Sequence, residues 1–255
     1  MPQLTAAGRR LEFEWAAGPD PRKPTLVFLH EGLGSIRQWR DFPAKLAQAS
    51  GCAALVYDRY GYGQSEVLQE PRRTVRFMHD EALLAFPEVL KELNIENPIL
   101  VGHSDGASIA LIYAGAGHPV RGVIAMAPHV FIEPICITSI RKAAQVFETT
   151  DLPQRLGRYH RDVRKTFYGW ADVWRDNDFG AWDIRGDYLP GIRCPVLAVQ
   201  GHDDEYGTMA QLDEIGSRVA GPCRLLKLER CGHAPFRDQP EAVLAAAASF
   251  IGELV

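Results

Sequence analysis

The chain has 255 residues, 46% hydrophobic and 24% charged, the make-up of an ordinary globular protein with enough apolar mass for a large core. Its net charge of −4, with no basic stretch along one face, argues against nucleic acid as a partner. No apolar run reaches the length of a membrane span and residues 1–10 lack the apolar core of a signal peptide, so a cytoplasmic protein without membrane contact is expected.

In chain order, short β-rich runs alternate with segments of helical period. Leu11-Glu12-Phe13-Glu14-Trp15 alternates with period two and reads as a half-exposed antiparallel strand. Thr25-Leu26-Val27-Phe28-Leu29-His30 and Ala53-Ala54-Leu55-Val56-Tyr57 read as buried central strands. Between them Trp39, Phe42, Leu46 and Ala49 fall on one helical face behind Ser35, a candidate cap. Val75, Met78, Ala82, Phe86, Val89 and Leu93 form a second stripe, with Pro87 expected to kink it. Ile99-Leu100-Val101 and Val123-Ile124-Ala125-Met126 continue the strand series. Residues from about 128 to about 190 break the rhythm: they hold helical patches at 139–149 and 154–174, much Phe, Trp and Tyr, and no convincing strand. Val196-Leu197-Ala198-Val199 and Leu225-Leu226-Lys227-Leu228 resume the strands. Val243, Ala247, Phe250, Ile251 and Leu254 make a final helical stripe. Such alternation implies a mostly parallel sheet flanked by helices on both faces, with the 128–190 segment as a helical insertion of the kind that forms a lid.

Cys52, Cys136, Cys194, Cys223 and Cys231 are odd in number and scattered, without a CxxC pair or zinc-like spacing. Five reduced thiols are expected, with no metal and no cofactor.

Chemistry concentrates where strands end. Gly102-His103-Ser104-Asp105-Gly106 stands between an apolar strand and a helix-forming run. A strand that turns into a helix within a few residues strains its apex and crowds its flanks, which explains small residues at 102 and 106. The serine hydroxyl is thereby presented at the strand end, beside the first amides of the helix. His30-Glu31-Gly32-Leu33-Gly34 ends the first central strand, and Asp58-Arg59-Tyr60-Gly61-Tyr62-Gly63-Gln64-Ser65 follows the second. Gly201-His202-Asp203-Asp204 and Cys231-Gly232-His233 close the last two.

In this order the motifs resemble the α/β-hydrolase family, and the resemblance spans essentially the whole chain. It implies an α/β fold with a core of residues 1–127 and 191–255 and a helical lid of residues 128–190 between sheet strands. It also implies a triad in which Ser104 is nucleophile, His233 its base and Asp204 the orienting carboxylate. Asp203, Asp204 and Glu205 are consecutive, so Asp203 is an alternative acid. The oxyanion amides are those of Asp105 and of Gly32, or of Leu33 if the loop is shifted by one residue. The 58–65 loop reads as structural, with Asp58 tying loop amides together and Arg59 and Tyr60 as residues that could reach the entrance. His30, His103 and His202 are read as packing or loop-bonding residues.

Two positions depart from the family pattern: Glu31, where glycine is usual, and Asp105, where uncharged residues are frequent. A carboxylate beside a forming oxyanion would oppose it. The expectation is that Asp105 turns back to cap its own helix and Glu31 pairs with an arginine or loop amides. The competing reading is that either recognises a cationic group on the substrate. Glu31, Trp170 and Trp174 are the candidate substrate contacts, and the aromatic lid favours an apolar or aromatic acyl group.

The expected activity is hydrolysis of a small carboxylic ester or thioester through an acyl-serine. One alternative is cleavage of a carbon–carbon bond in a diketone-like ring-cleavage product. Another, of a different class, is a non-catalytic ligand receptor on the same fold. Haloalkane and epoxide hydrolysis are disfavoured, because relatives with those activities use aspartate where this chain has Ser104. The sequence says nothing of oligomeric state.

Overall fold

The computed structural model describes residues 1–20 and 22–255. Eight strands form one sheet in the order β1-β2-β4-β3-β5-β6-β7-β8. They are β1 Gln3–Ala6, β2 Arg9–Ala17, β3 Thr25–Leu29, β4 Ala53–Tyr57, β5 Ile99–His103, β6 Gly122–Met126, β7 Val196–Gly201 and β8 Cys223–Leu228. β1 and β2 pair antiparallel at one edge, and the six strands from β4 to β8 in the sheet order run parallel. β1 escaped the sequence reading because four residues around Thr5 are too few to show a period.

The central strands carry apolar side chains on both faces, as parallel strands covered by helices must. Val27 and Leu29 enter one core with Leu55, Tyr57 and Leu100, while Leu26 and Phe28 enter the other with Ala54, Val56 and Val101. The helices over these faces are α1 Phe42–Ser50, α2 Phe77–Asp80, α3 Phe86–Glu92, α4 Asp105–Gly115, α5 Pro134–Thr149, α6 Leu152–Leu156, α7 Val163–Trp174, α8 Ala210–Arg218, α9 Pro235–Asp238 and α10 Pro240–Gly252. No described helix is long and apolar enough to cross a membrane.

Three local expectations need correction. The helix after Ser35 is not continuous: Ile36–Trp39 is a 3₁₀ turn, Arg40 has φ +55°, and α1 starts afresh after Asp41. Ser35 makes no side-chain cap bond, and Ala49 is exposed while Ala47 is buried. The predicted stripe ran through a chain reversal whose residues happened to keep helical spacing.

The helix predicted around Pro87 is not one continuous α-helix. A π-turn at Glu81–Ala85 joins α2 to α3. Proline has no N–H for the carbonyl four residues back, and its ring crowds that carbonyl. The wider turn just before Pro87 absorbs the misfit while keeping Met78, Ala82, Phe86 and Val89 buried. The 154–174 patch, finally, is two helices. α6 ends at Leu156, and α7 begins behind Asp162, whose side chain accepts from the Lys165 amide 3.0 Å away.

α5, α6 and α7 all lie between β6 and β7, beyond the carboxyl ends of the strands. Polar struts pin them there. His160 donates from Nε2 to the Leu33 carbonyl (3.0 Å) and accepts from the Gly63 amide at Nδ1 (2.9 Å). Thr166 donates to the Gly61 carbonyl (2.8 Å), and Glu133 accepts from the Thr208 amide and hydroxyl (2.9 and 2.6 Å).

Candidate active site

Ser104 has φ +52° and ψ −120°, a conformation side chains avoid, at the junction of β5 and α4. Its amide donates to the Met126 carbonyl of β6 (2.9 Å), and its own carbonyl accepts the first amides of α4 from Ala107 and Ser108. The turn closes only because Gly106 lacks a side chain: a Cβ there would fall inside contact distance of the Leu29 and His30 carbonyls. Backbone on both sides leaves nothing that can yield. Gly106→Ala is therefore expected to cost more than about 4 kcal/mol and to yield little folded protein. Denaturant titration reads this directly, and a loss under about 1 kcal/mol would mean that the turn relaxes.

Three strand ends supply one hydrogen-bonded chain. His233, in the loop after β8, lies with Nε2 2.9 Å from Ser104 Oγ. Its Nδ1 lies 2.8 and 3.0 Å from the two oxygens of Asp204, just after β7. A carboxylate can only accept, so Nδ1 carries the proton and Nε2 is left to accept from the serine hydroxyl. Asp204 also accepts from the Tyr206 amide (2.8 Å) and Gln200 Nε2 (3.2 Å). Burial works to raise its pKa, but His233 and these bonds hold it below the usual carboxylate range. Burial disfavours charge on His233, yet Asp204 beside it carries the imidazole above the ordinary histidine value. Asp203 is exposed and takes no part in this chain; its amide bonds to the Cys231 carbonyl.

A cavity of about 110 Å³ opens above Ser104. Gly32, Leu33 and Asp105 all border it, as do Trp170 and Trp174 from α7 and Ile140 from α5. Gly32 packs against the Trp170 indole so closely that no side chain fits at 32. A larger cavity, about 250 Å³, is lined by residues such as Arg9, Thr74 and Leu84 and contains no member of the Ser104 chain. Chemistry rather than size selects the smaller one.

Glu31 also borders the cavity, with its carboxylate turned away to His103 Nδ1 (3.2 Å) and Arg237 (3.5 Å). Burial opposes its charge, but these two neighbours hold its carboxyl well below the usual range. His103 in turn donates from Nε2 to the His233 carbonyl (2.7 Å). The residue that departs from the glycine pattern thus braces the loop bearing His233. His30 is buried and neutral, accepting from the Arg59 amide at Nε2 (3.0 Å) and donating from Nδ1 to the Glu31 carbonyl (2.7 Å). His202 is exposed beside Glu229.

The structure departs from two expectations here. Asp105 does not cap α4: it is 1% exposed and neither carboxylate oxygen has a hydrogen-bond partner. The first turn of α4 is flush against β3 and β5, and the side chain points away from its own amides toward Arg59, 3.9 Å off. Arg59 does not reach an entrance. It is buried, lies over the Tyr62 ring, and donates from Nη2 to the His30 and Glu31 carbonyls (both 3.1 Å). Asp58 accepts from the Ile36 and Gln64 amides (2.7 and 2.8 Å), binding the two loops together.

Two cavity residues were missed in the sequence. His129, three residues past β6, is buried with its ring 5.0 Å from Trp174, and burial pushes its pKa down to about 3. The Tyr206 ring lies 4.6 Å from that of His233, tilted 48° to it. Both sit just beyond the carboxyl end of a strand, the one signal that could have flagged them.

Comparison with known proteins came to the same architecture. A model described as the alpha/beta hydrolase family matches residues 26–247. A proline iminopeptidase of Lactobacillus helveticus is 33% identical over an alignment covering 89% of this chain and 90% of that protein. Among solved structures, a carboxylesterase of Nitrososphaera gargenis is similar with a TM-score of 0.80 at 18% identity, covering 99% of this chain and 98% of that one. The enol-lactonase of Burkholderia xenovorans LB400 gives 0.74 at 19% identity, covering 98% and 99%. At such identities the structural likenesses speak for the fold alone.

Proposed function

The chain belongs to the alpha/beta hydrolase family, and from that premise we propose that it hydrolyses small carboxylic esters or thioesters through an acyl-serine intermediate. The observation that carries this reading is the unbroken run of contacts from Ser104 Oγ through His233 to Asp204, at 2.9 and 2.8 Å. Ser104 attacks the substrate carbonyl while His233 Nε2 takes its proton. Asp204 stabilises the imidazolium so formed and holds the ring's orientation. The amide of Asp105 and one from the Gly32–Leu33 turn face the developing oxyanion, a contact whose loss typically costs about 2.7–4 kcal/mol. His233 then protonates the leaving oxygen or sulfur, and the bond to it breaks. Water, deprotonated by His233, attacks the acyl group and frees the acid and Ser104.

In this reading residues 128–190 act as the lid. They exclude bulk water and supply Trp170, Trp174 and Ile140 as an apolar wall for the acyl group. Five unpaired cysteines suit a reducing compartment, and we place the enzyme in the cytoplasm.

The cavity sets the size of substrate. At about 110 Å³ it is well below the roughly 300–1,000 Å³ of pockets for drug-sized ligands. That weighs against bulky ring-cleavage diketones and long acyl chains. Each methylene that fits gains about 0.8 kcal/mol of burial, and each that does not gains nothing. Across p-nitrophenyl acetate, butyrate and octanoate, kcat/KM is expected to peak at the first two and fall roughly tenfold or more at the third. A maximum at octanoate, or cleavage of a dienoate diketone with no ester turnover, overturns the reading.

A further inference from the structure

We propose that Glu31 and His103 are positioning residues for His233: His103 keeps a proton on both ring nitrogens, pairs with the Glu31 carboxylate, and holds the loop that carries the base. The proposal rests on the ester-hydrolase reading above and deepens it.

The proton count comes from what His103 faces. Its Nδ1 lies 3.2 Å from Glu31 Oε2, and its Nε2 lies 2.7 Å from the His233 carbonyl oxygen. A carboxylate and a carbonyl oxygen can only accept, and a neutral imidazole has one N–H to offer. A proton on Nε2 alone would leave the Nδ1 lone pair pointing at the Glu31 anion. A proton on Nδ1 alone would set a lone pair against a carbonyl oxygen at 2.7 Å, a distance that only a hydrogen bond makes favourable. With both protons in place, each contact becomes a charge-assisted hydrogen bond. His103 is 2% exposed and stands beside the Trp39 and Phe236 rings, with centroids 6.3 and 5.3 Å away, so bulk water is kept from both bonds.

The neighbouring charges favour the pair. Arg237 of α9 lies 3.5 Å from Glu31 Oε1 and helps to keep that carboxyl ionised, whereas Asp105 of α4 repels it. The His233 ring is 5.2 Å from that of His103, and burial keeps His30 and His129 neutral nearby. A buried carboxylate and imidazolium offset each other, while removing one leaves the other uncompensated. Glu31 directly precedes Gly32, which borders the cavity. His103 thus ties the cavity loop to the loop of the base, two segments about as far apart in the chain as any in the site. As pH rises, His103 gives up its second proton, one of the two bonds is lost, and His233 loses a bearing. Glu31→Gln keeps an acceptor but removes the charge that favours the imidazolium, so that loss moves to lower pH.

The test follows butyrate release from methyl butyrate over the neutral and alkaline range, with kcat and KM read separately, in wild type, Glu31→Gln and His103→Gln. In Glu31→Gln the alkaline fall in kcat is expected about one pH unit or more below that of the wild type. In His103→Gln, whose amide does not titrate, kcat is expected to be roughly tenfold or more lower throughout, with KM within about threefold and the alkaline fall gone. Superimposable alkaline limbs in wild type and Glu31→Gln overturn the proposal, and so does an alkaline fall that persists in His103→Gln or a loss there confined to KM. Nitrogen-15 NMR of histidine-labelled protein at neutral pH reads the proton count without turnover. The wild-type resonances missing from His103→Gln should come from two protonated ring nitrogens, and one protonated beside one bare nitrogen rejects the pair. If His103→Gln fails to fold, the histidine whose alkaline titration moves down in Glu31→Gln is read instead, and no such histidine rejects the pair. Should the wild type turn over no ester, the hydrolase reading fails separately, and the spectra alone decide on His103.

Discussion

Ser104→Ala is expected to lower kcat for p-nitrophenyl butyrate by roughly 10⁴–10⁶ while leaving the fold intact. The change removes one oxygen and nothing that holds the turn: the Ser104 amide still bonds to Met126 and its carbonyl still accepts from α4. Only the group 2.9 Å from His233 Nε2 is lost. What remains is the cavity and its amides, which alone give a small residual rate. Steady-state assays beside a circular-dichroism spectrum read both halves of the expectation. A variant keeping more than about 1% of wild-type kcat would place the nucleophile elsewhere. A protein that served as a ligand receptor would keep its ligand response in full after this substitution.

The second large effect separates two neighbouring carboxylates. Asp204→Asn is expected to lower kcat by about 10⁴, because an amide facing His233 Nδ1 no longer enforces the tautomer that leaves Nε2 free. Asp203→Asn, on an exposed side chain, should stay within about twofold of wild type. A pH profile adds an independent sign. His233 works as a base only when neutral, and Asp204 raises its pKa, so kcat/KM in the wild type climbs with pH through a value above the ordinary histidine one. Without that carboxylate the rising limb should move to lower pH. A limb that stays put, or a comparable loss from Asp203→Asn, removes Asp204 from its assigned role.

The sheet was largely legible in the sequence because its central strands are buried on both faces and therefore apolar throughout, as in Leu26, Val27 and Phe28. The elements that were misread are those decided by one backbone angle or one missing hydrogen. Arg40 at φ +55° divides a turn from α1, and a π-turn accompanies the absent N–H of Pro87. Neither leaves a mark on hydrophobic period. Ser104, Asp204 and His233 could be named from strand-end motifs, and the structure brings them together. His129 and Tyr206 have no motif, because a wall residue needs only to face the cavity. The orientation of Asp105 was out of reach for a related reason. Its direction depends on how tightly α4 lies on the sheet and on where Arg59 is anchored, which are contacts between segments far apart in the chain.

The positive φ of Ser104 is held at the end of β5 by hydrogen bonds to β6 and α4. The Ser104 hydroxyl is therefore set by the sheet and α4, whatever occupies the cavity. Ile140, Trp170 and Trp174 of α5 and α7 give the cavity part of its apolar wall and make none of the bonds that hold Ser104. In the proposed reading, part of the substrate preference is thus carried on a stretch of polypeptide separate from the one that carries reactivity. Grafting another protein's 128–190 segment onto this frame would redirect the one without rebuilding the other.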